Sequence, residues 1–460
     1  MIIKDLNPYY SLFSEYTELR MQENRALKIM AVNGDLLGNS KETKSGVSAR
    51  VYKNGAWGFA SSPMLTDQDI KNVIRSALDN AFLLDEKENK RKPALPFAKK
   101  YEHIDFSTKK AKYSQKELID FVKSIDTYIN MHFPRLASRT VVLNSLDMEK
   151  SIITADHSNS YSMIPRSLLY VSMTMNDHQG VPIELYEAFG GRGQIEDIFS
   201  TSNALAPKID QLYHHLEQKV KGVSPRAGIA NCIMDADLAG ILAHEAIGHT
   251  TEADLVLAGS VAGDNLNNQI AAPMVNLIDF ANTAFGEICP VPVYVDDEGV
   301  EAKDVVLIEN GILKSFMHNK DSANHFKVTP TGNARAFGFY DEPLIRMRNT
   351  AILPGNDKLE EMIQSIDDGY YLMRSSNGQA DSTSEFMFGI VLGYEIKNGK
   401  IGAAIKDTTI SGVAFNMLKT ITMISDDMSW GCAGMCGKKQ WIPVGMGGPA
   451  IKCQINIGGK

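Results

Sequence analysis

Residues 242–254 read LAHEAIGHTTEAD and place His244, Glu245 and His249 within six positions. Imidazoles offer neutral nitrogen ligands to zinc, and a carboxylate beside the first one is the general base of the familiar zinc-peptidase helix. That helix sets its two histidines four apart, on one face. Here they are five apart. On a regular α-helix five residues turn a side chain by about 140°, so the two rings would not share an ion. A π-turn, with its i to i+5 period, returns them to the same face, and Gly248 stands where a helix deforms or ends easily. The spacing therefore predicts a π-bulge or a helix break between Glu245 and His249.

A catalytic zinc takes three protein ligands and keeps one position open for water. Glu252 and Asp254 follow closely, suited to a third ligand or to bonding the outer imidazole nitrogens. Another source of a ligand is residues 430–449, WGCAGMCGKKQWIPVGMGGP, where glycines let the backbone approach another element closely. Its pair, Cys432 and Cys436, has no second pair to complete a structural four-cysteine site, so one thiolate joining His244 and His249 meets the count. Cys232, Cys289 and Cys453 read as small buried apolar side chains. For the oxyanion of a hydrolytic reaction, His318, Arg335 and Tyr340 carry suitable donors. Such residues are more often structural, and the donor stays unassigned.

These side chains need a scaffold. Residues 228–234 form a short apolar strand leading directly into a helix that starts near 235–238, which would hold the motif rigidly. Beyond it the chain is strand-rich, with hairpin signals at Asp297-Glu298-Gly299, Glu309-Asn310-Gly311 and Lys397-Asn398-Gly399, and one helix at 358–366. Before it, residues 26–32 and 47–52 alternate as strands, with an Asn-Gly turn at 54–55. Capping boxes at Thr66/Asp69 and Ser114/Glu117 open two helices, the first over 67–83. A meander is expected over 140–177, turning at Asp147-Met148-Glu149 and at Asn159-Ser160. A helix over 207–220 ends before Gly222-Val223-Ser224-Pro225, read as a domain joint. The expectation is an α+β protein. An N-terminal α+β domain (1–222) with a mixed or antiparallel sheet precedes a mostly antiparallel β domain (223–460) carrying one metal-binding helix.

Bulk properties narrow the function. A chain of 460 residues suggests roughly two to four domains. With a net charge of −8 and scattered Lys and Arg, it is not expected to bind nucleic acid. The basic stretch 87–100, mixed with Pro and Glu, reads as a solvated linker. The first ten residues lack the pattern of a secretory signal, and no stretch reaches the roughly 18 apolar residues of a membrane span. Five cysteines fit a reducing compartment, so a cytoplasmic protein without membrane partners is expected.

Several segments together resemble the TldD/PmbA family, formerly labelled modulators of DNA gyrase and regarded as metallopeptidases. HEAIGHTTEAD (244–254), VDDEGV (295–300), PTGNAR (330–335), RMRNTAILPG (346–355) and GMCGKKQWIPVGMGGP (434–449) match its landmarks in order. Because the metal motif is kept, the chain resembles the TldD-like branch rather than its metal-free partner. The resemblance implies Zn2+ on His244, His249 and Cys436, the cysteine followed by Gly437-Lys438, with Glu245 as the base. It implies cleavage of peptides or unfolded polypeptides, and a homodimer or a heterodimer with a metal-free paralogue. A non-enzymatic, partner-binding subunit of the gyrase-modulator kind is the alternative. The chain departs from the family pattern where Trp441 precedes the IPVG run (442–445).

Overall fold

Strand β1 (Tyr16–Val32) sets the architecture through its alternation. Its odd positions Leu19, Met21, Ile29 and Ala31 are buried and apolar. Its even positions Glu18, Arg20, Gln22 and Asn24 are buried and polar. Two different surfaces must therefore cover its two faces. The computed structural model, which describes residues 4–458, shows both. Residues 1–3, part of the segment read for an export signal, lie outside the described residues.

β1 is central in a seven-stranded sheet with β2 (Asp35–Lys53), β3 (Ala56–Ser62), β4 (Tyr101–Asp105), β5 (Ser138–Thr154), β6 (Asn159–Asn176) and β7 (Pro182–Arg192). The order is β3-β2-β1-β5-β6-β4, and β7 also pairs with β6. Every pairing is antiparallel except β4 with β6. Helix α1 (Asp67–Glu88) opens with the expected Thr66/Asp69 capping box and packs Ile70, Val73, Ile74, Ala77 and Ala81 on one end of the apolar face. Helices α2 (Gln115–His132) and α4 (Ala206–Val220), with the short α3 (Ile195–Ile198) between them, cover the other end. α2 carries the Ser114/Glu117 box.

The polar face docks on the second half of the chain. Arg50 lies between Glu18 and Glu298, at 2.9 and 2.5 Å, and Lys150 pairs with Asp297 at 2.8 Å. Gln22 and Asn24 donate to the Phe337 carbonyl. The 297–299 hairpin signal is thus a turn whose side chains are buried against another sheet. The expected turn at Asp147-Met148-Glu149 does not occur, since β5 runs through it paired with β1 and β6. Arg25 binds Glu149 at 2.6 Å and Gln194 binds Asp147 at 2.6 Å, so these charges are satisfied without leaving the sheet. The second expected turn lies just earlier, before Asn159, which already starts β6.

In the second half, strand β8 (Gly228–Met234) lies inside a nine-stranded sheet, parallel to Asp368–Leu372 and antiparallel to Ile451–Gly458. One edge of that sheet is Ser375–Ala380, paired among the described residues only with Glu385–Ile390. A six-stranded sheet, mostly antiparallel, contains Asn349–Ile352 and Gly445–Gly448. The Asn310-Gly311 and Asn398-Gly399 turns close hairpins as expected. The helix expected over 358–366 is Leu359–Gln364, and a further helix, Lys320–Phe326, was not anticipated. Helix α5 (Ala236–Leu242) follows β8 directly and lies against the six-stranded sheet. Gly240 permits this, because a Cβ there would sit 2.8 Å from the Gly447 nitrogen. No helix among the described residues is long and apolar enough to cross a membrane.

Candidate metal centre

Asp235 caps α5, accepting from the Leu238 N–H at 2.9 Å, so the helix starts immediately after β8. After Leu242 the helix widens into a π-turn over Ala243–Gly248, where the His249 N–H bonds the His244 carbonyl. A short 3₁₀ turn, His249–Thr251, follows. This i to i+5 bond is the deformation that the spacing requires. Gly248 serves it for a different reason than expected. Its backbone is ordinary right-handed helix, φ −56°. What it lacks is a Cβ, which would lie 1.9 Å from the Met347 sulfur.

Both imidazoles consequently face one point, their ring centroids 5.2 Å apart. Cys436 arrives on a two-residue strand paired with Ile442–Pro443. One donor atom each from His244, His249 and Cys436 lies within 4.8 Å of the others, a set able to hold a metal ion. His244 is fully buried, and neither ring nitrogen has a hydrogen-bond partner among the described residues. An orphaned buried imidazole is costly, and a metal ion is the simplest partner for it. The Cys436 sulfur lies 3.3 Å from His249 Nε2. Burial pushes this thiol up, but the adjacent His244 and His249 outweigh that and bring it down to about 3. A thiolate is the form that binds zinc. Burial also disfavours a charged His249, yet Glu252 and then Cys436 hold it well above the usual imidazole value.

Glu252 is fully buried and sits 3.0 Å from His249 Nδ1. Asp254 lies farther out, bonded by Lys438 at 2.6 and 2.8 Å, and Lys438 also reaches Glu252 at 3.2 Å. The two acids thus form an outer layer, with Glu252 orienting His249. Glu245 has a quarter of its side chain exposed, with Oε2 3.7 Å from His249 Nε2. It lines a cleft of about 730 Å³ together with His249, the edge strand residues 375–380 and Trp441.

The remaining candidates lie elsewhere. Cys432 is half-buried, its sulfur 3.6 Å from the Ala188 carbonyl, and Cys232, Cys289 and Cys453 are buried with burial pushing their thiols up. None of the three oxyanion candidates lines the cleft. His318 is buried against Ser322, its value lowered to about 4 by burial. Arg335 donates to the Met347 and Pro443 carbonyls, and Tyr340 is exposed beside Phe339.

Sequence reasoning missed Arg346. Fully buried, it donates to the carbonyls of Cys436 (2.7 Å), Lys438 (3.0 Å) and Gln440 (2.9 Å) and so fixes the loop carrying the thiolate. It also missed Arg166 of β6, which grips the Cys432 and Gly434 carbonyls from the N-terminal sheet. Both stand in segments without local signal for carbonyl binding, which only the fold brings about.

Comparison with known proteins shows similarity over most of the chain. A family model described as the PmbA/TldA metallopeptidase C-terminal domain matches residues 227–459, and the corresponding domain 1 model matches residues 17–81. The chain is 32% identical over 417 residues to a protein of Saccharolobus solfataricus named as a zinc metalloprotease TldD homologue, covering 90% of each chain. It is 31% identical to a metalloprotease of Methanocaldococcus jannaschii, covering 95% of this chain and 96% of that one. Among solved structures, a Thermotoga maritima protein described as a proposed modulator of a DNA gyrase superposes with a TM-score of 0.78 at 21% identity, over 96% of both chains. TldE of Thermococcus kodakarensis does so with 0.75 at 17%, over 98% of both.

Proposed function

Since the chain belongs to the TldD/PmbA family of metallopeptidases, we propose that it is a zinc-dependent peptidase acting on peptides or unfolded polypeptides. The observation that carries this reading is the convergence of three metal donors beside a carboxylate at an open cleft. His244, His249 and Cys436 would hold the ion. Bound there, zinc would supply Lewis acidity that lowers the pKa of a water toward neutrality.

The chain's own residues do the rest. Glu252 accepts from His249 Nδ1–H, which leaves Nε2 as the ligand nitrogen. Glu245 takes the proton of the attacking water and returns it to the leaving amine. The outer edge of Ser375–Ala380 carries no strand partner among the described residues. An extended peptide pairing with that edge would be held by main-chain bonds, which bind without selecting a sequence. Such binding suits unfolded chains.

A cytoplasmic location, and assembly as a homodimer or with a metal-free paralogue, belong to the same proposal. The non-enzymatic alternative draws no support from three converging metal donors next to a carboxylate. Glu245→Gln tests the reading: it keeps stoichiometric zinc and abolishes chelator-sensitive peptide cleavage. Full cleavage by this variant would remove the base assignment, and absence of zinc from protein purified without chelators would remove the metal.

A further inference from the structure

Trp441 stands out among the three tryptophans. Its side chain is 65% exposed, whereas Trp57 lies under the Arg50 guanidinium and Trp430 packs against Phe280. An exposed indole beside a cleft offers a broad apolar face to whatever enters it. This one is held in place. Met435–Cys436 pairs with Ile442–Pro443, so Trp441 is on the hairpin that carries the Cys436 thiolate. Arg346 fixes the tip through the Lys438 and Gln440 carbonyls, and Lys439 completes the turn at φ 56°. The six-membered ring of the indole lies 3.5–3.8 Å from where a Gly437 Cβ would be, one residue from the thiolate.

The cleft into which Trp441 projects offers little to a charged side chain. Lys438 is already bonded to Asp254 and Glu252. Asp381 accepts from the Thr383 hydroxyl and N–H and from the Glu385 N–H. Glu245 is the base. What the walls do offer is apolar surface from Ile241, Leu255, Met435, Trp441 and Met446, facing the polar backbone edge at 375–380.

Building on the peptidase reading, we propose that Trp441 forms an apolar subsite that selects peptides with an aromatic or large aliphatic side chain flanking the scissile bond. The edge strand holds the main chain, and the indole covers one side chain. A rigid aromatic wall loses little conformational freedom on binding and gains offset or edge-to-face contact with an aromatic residue.

The test walks a single Phe, Leu, Asp or Lys through an otherwise Gly/Ala/Ser peptide, with the zinc-loaded full chain. One position should favour Phe and Leu over Ala by about tenfold in kcat/KM, mainly through KM, with no gain from Asp or Lys. Trp441→Ala should bring that ratio close to one, and Trp441→Phe should retain most of it. In Glu245→Gln the Phe peptide should quench or shift indole emission saturably, and the same variant with Trp441→Phe should lose the signal. A flat position scan, or a preference unaltered in Trp441→Ala, overturns the subsite. So does an emission change that follows protein concentration without peptide, which would mark the indole as a contact between copies. Trp441-dependent peptide binding without cleavage by the wild-type protein would uphold the subsite and sink the peptidase reading.

Discussion

Gly248 and Met347 meet so closely that the smallest added side chain at 248 would overlap the sulfur, at 1.9 Å. Met347 stands between Arg346 and Arg348, both fully buried, so it has little freedom to retreat. Through this contact a packing constraint sets the position of the π-turn that aligns His244 with His249.

Gly248→Ala is accordingly expected to destabilise the protein by about 1–3 kcal/mol, the usual range for overpacking, and to weaken zinc binding. Adding Met347→Ala makes room for the new methyl group. Zinc affinity, measured by competition with a chromogenic chelator, should then recover even though Met347→Ala itself leaves a cavity. Equal zinc affinity in Gly248→Ala and wild type would break the link between this packing contact and ligand alignment.

Glu252 would act on a bound metal through His249, whose Nδ1 lies 3.0 Å from its carboxylate. Glu252→Ala removes the acceptor at Nδ1 while Lys438 keeps Asp254 as a partner. Zinc affinity is expected to fall about 10- to 100-fold, with the fold retained by circular dichroism. A change below about twofold would show that the carboxylate does not orient the ring.

The two cysteines of the C-terminal loop separate cleanly. Cys436→Ser is expected to lower zinc affinity by more than the about 100-fold reached by outer-layer changes. Cys432→Ser should leave it at the wild-type value, because its sulfur is turned to the Ala188 carbonyl. Metal analysis of both variants checks this, and the reverse order would reassign the thiolate.

Protonation of the metal-stripped protein should follow the Cys436 thiol, which lies beside His244 and His249. A thiol lowered from 9.0 to about 3 in the fold contributes stability that is complete above the free value and is lost as pH falls through about 3. A raised imidazole contributes in full below 6.5, and its share is lost as pH rises through the folded value. Glu252 still raises His249 in Cys436→Ser, so the stability difference between wild type and this variant should grow as pH rises from about 3 toward the free thiol value of 9.0. Denaturant titrations of the two chelator-treated proteins across this range measure it. A difference that is constant with pH would mean that no thiolate–imidazolium pair forms.

Much of the scaffold was legible because it is local. The capping boxes at Thr66 and Ser114 act within one turn and open helices where expected. The Asn-Gly turns at 310–311 and 398–399 close their hairpins for the same reason. The first part of β1, residues 16–25, went unread because Glu18, Arg20, Gln22 and Asn24 look solvent-facing, whereas the fold buries them against the second half of the chain. Asp147 and Glu149 misled in the same way, since polar residues read as a turn until their partners Gln194 and Arg25 are known.

The sequence by itself determined which atoms could bind a metal and that two imidazoles five positions apart need a widened helical turn, because helix periodicity is a local property of the backbone. It could not say why Gly248 is needed, how Arg346 and Arg166 hold the loop, or that Trp441 faces the cleft. Those depend on partners tens or hundreds of positions away, such as Arg166 and Cys432, and only chain folding brings them within hydrogen-bond reach. Local geometry follows from neighbours in the chain, whereas alignment of the thiolate with the imidazoles follows from the packing of the π-turn between the six-stranded and nine-stranded sheets.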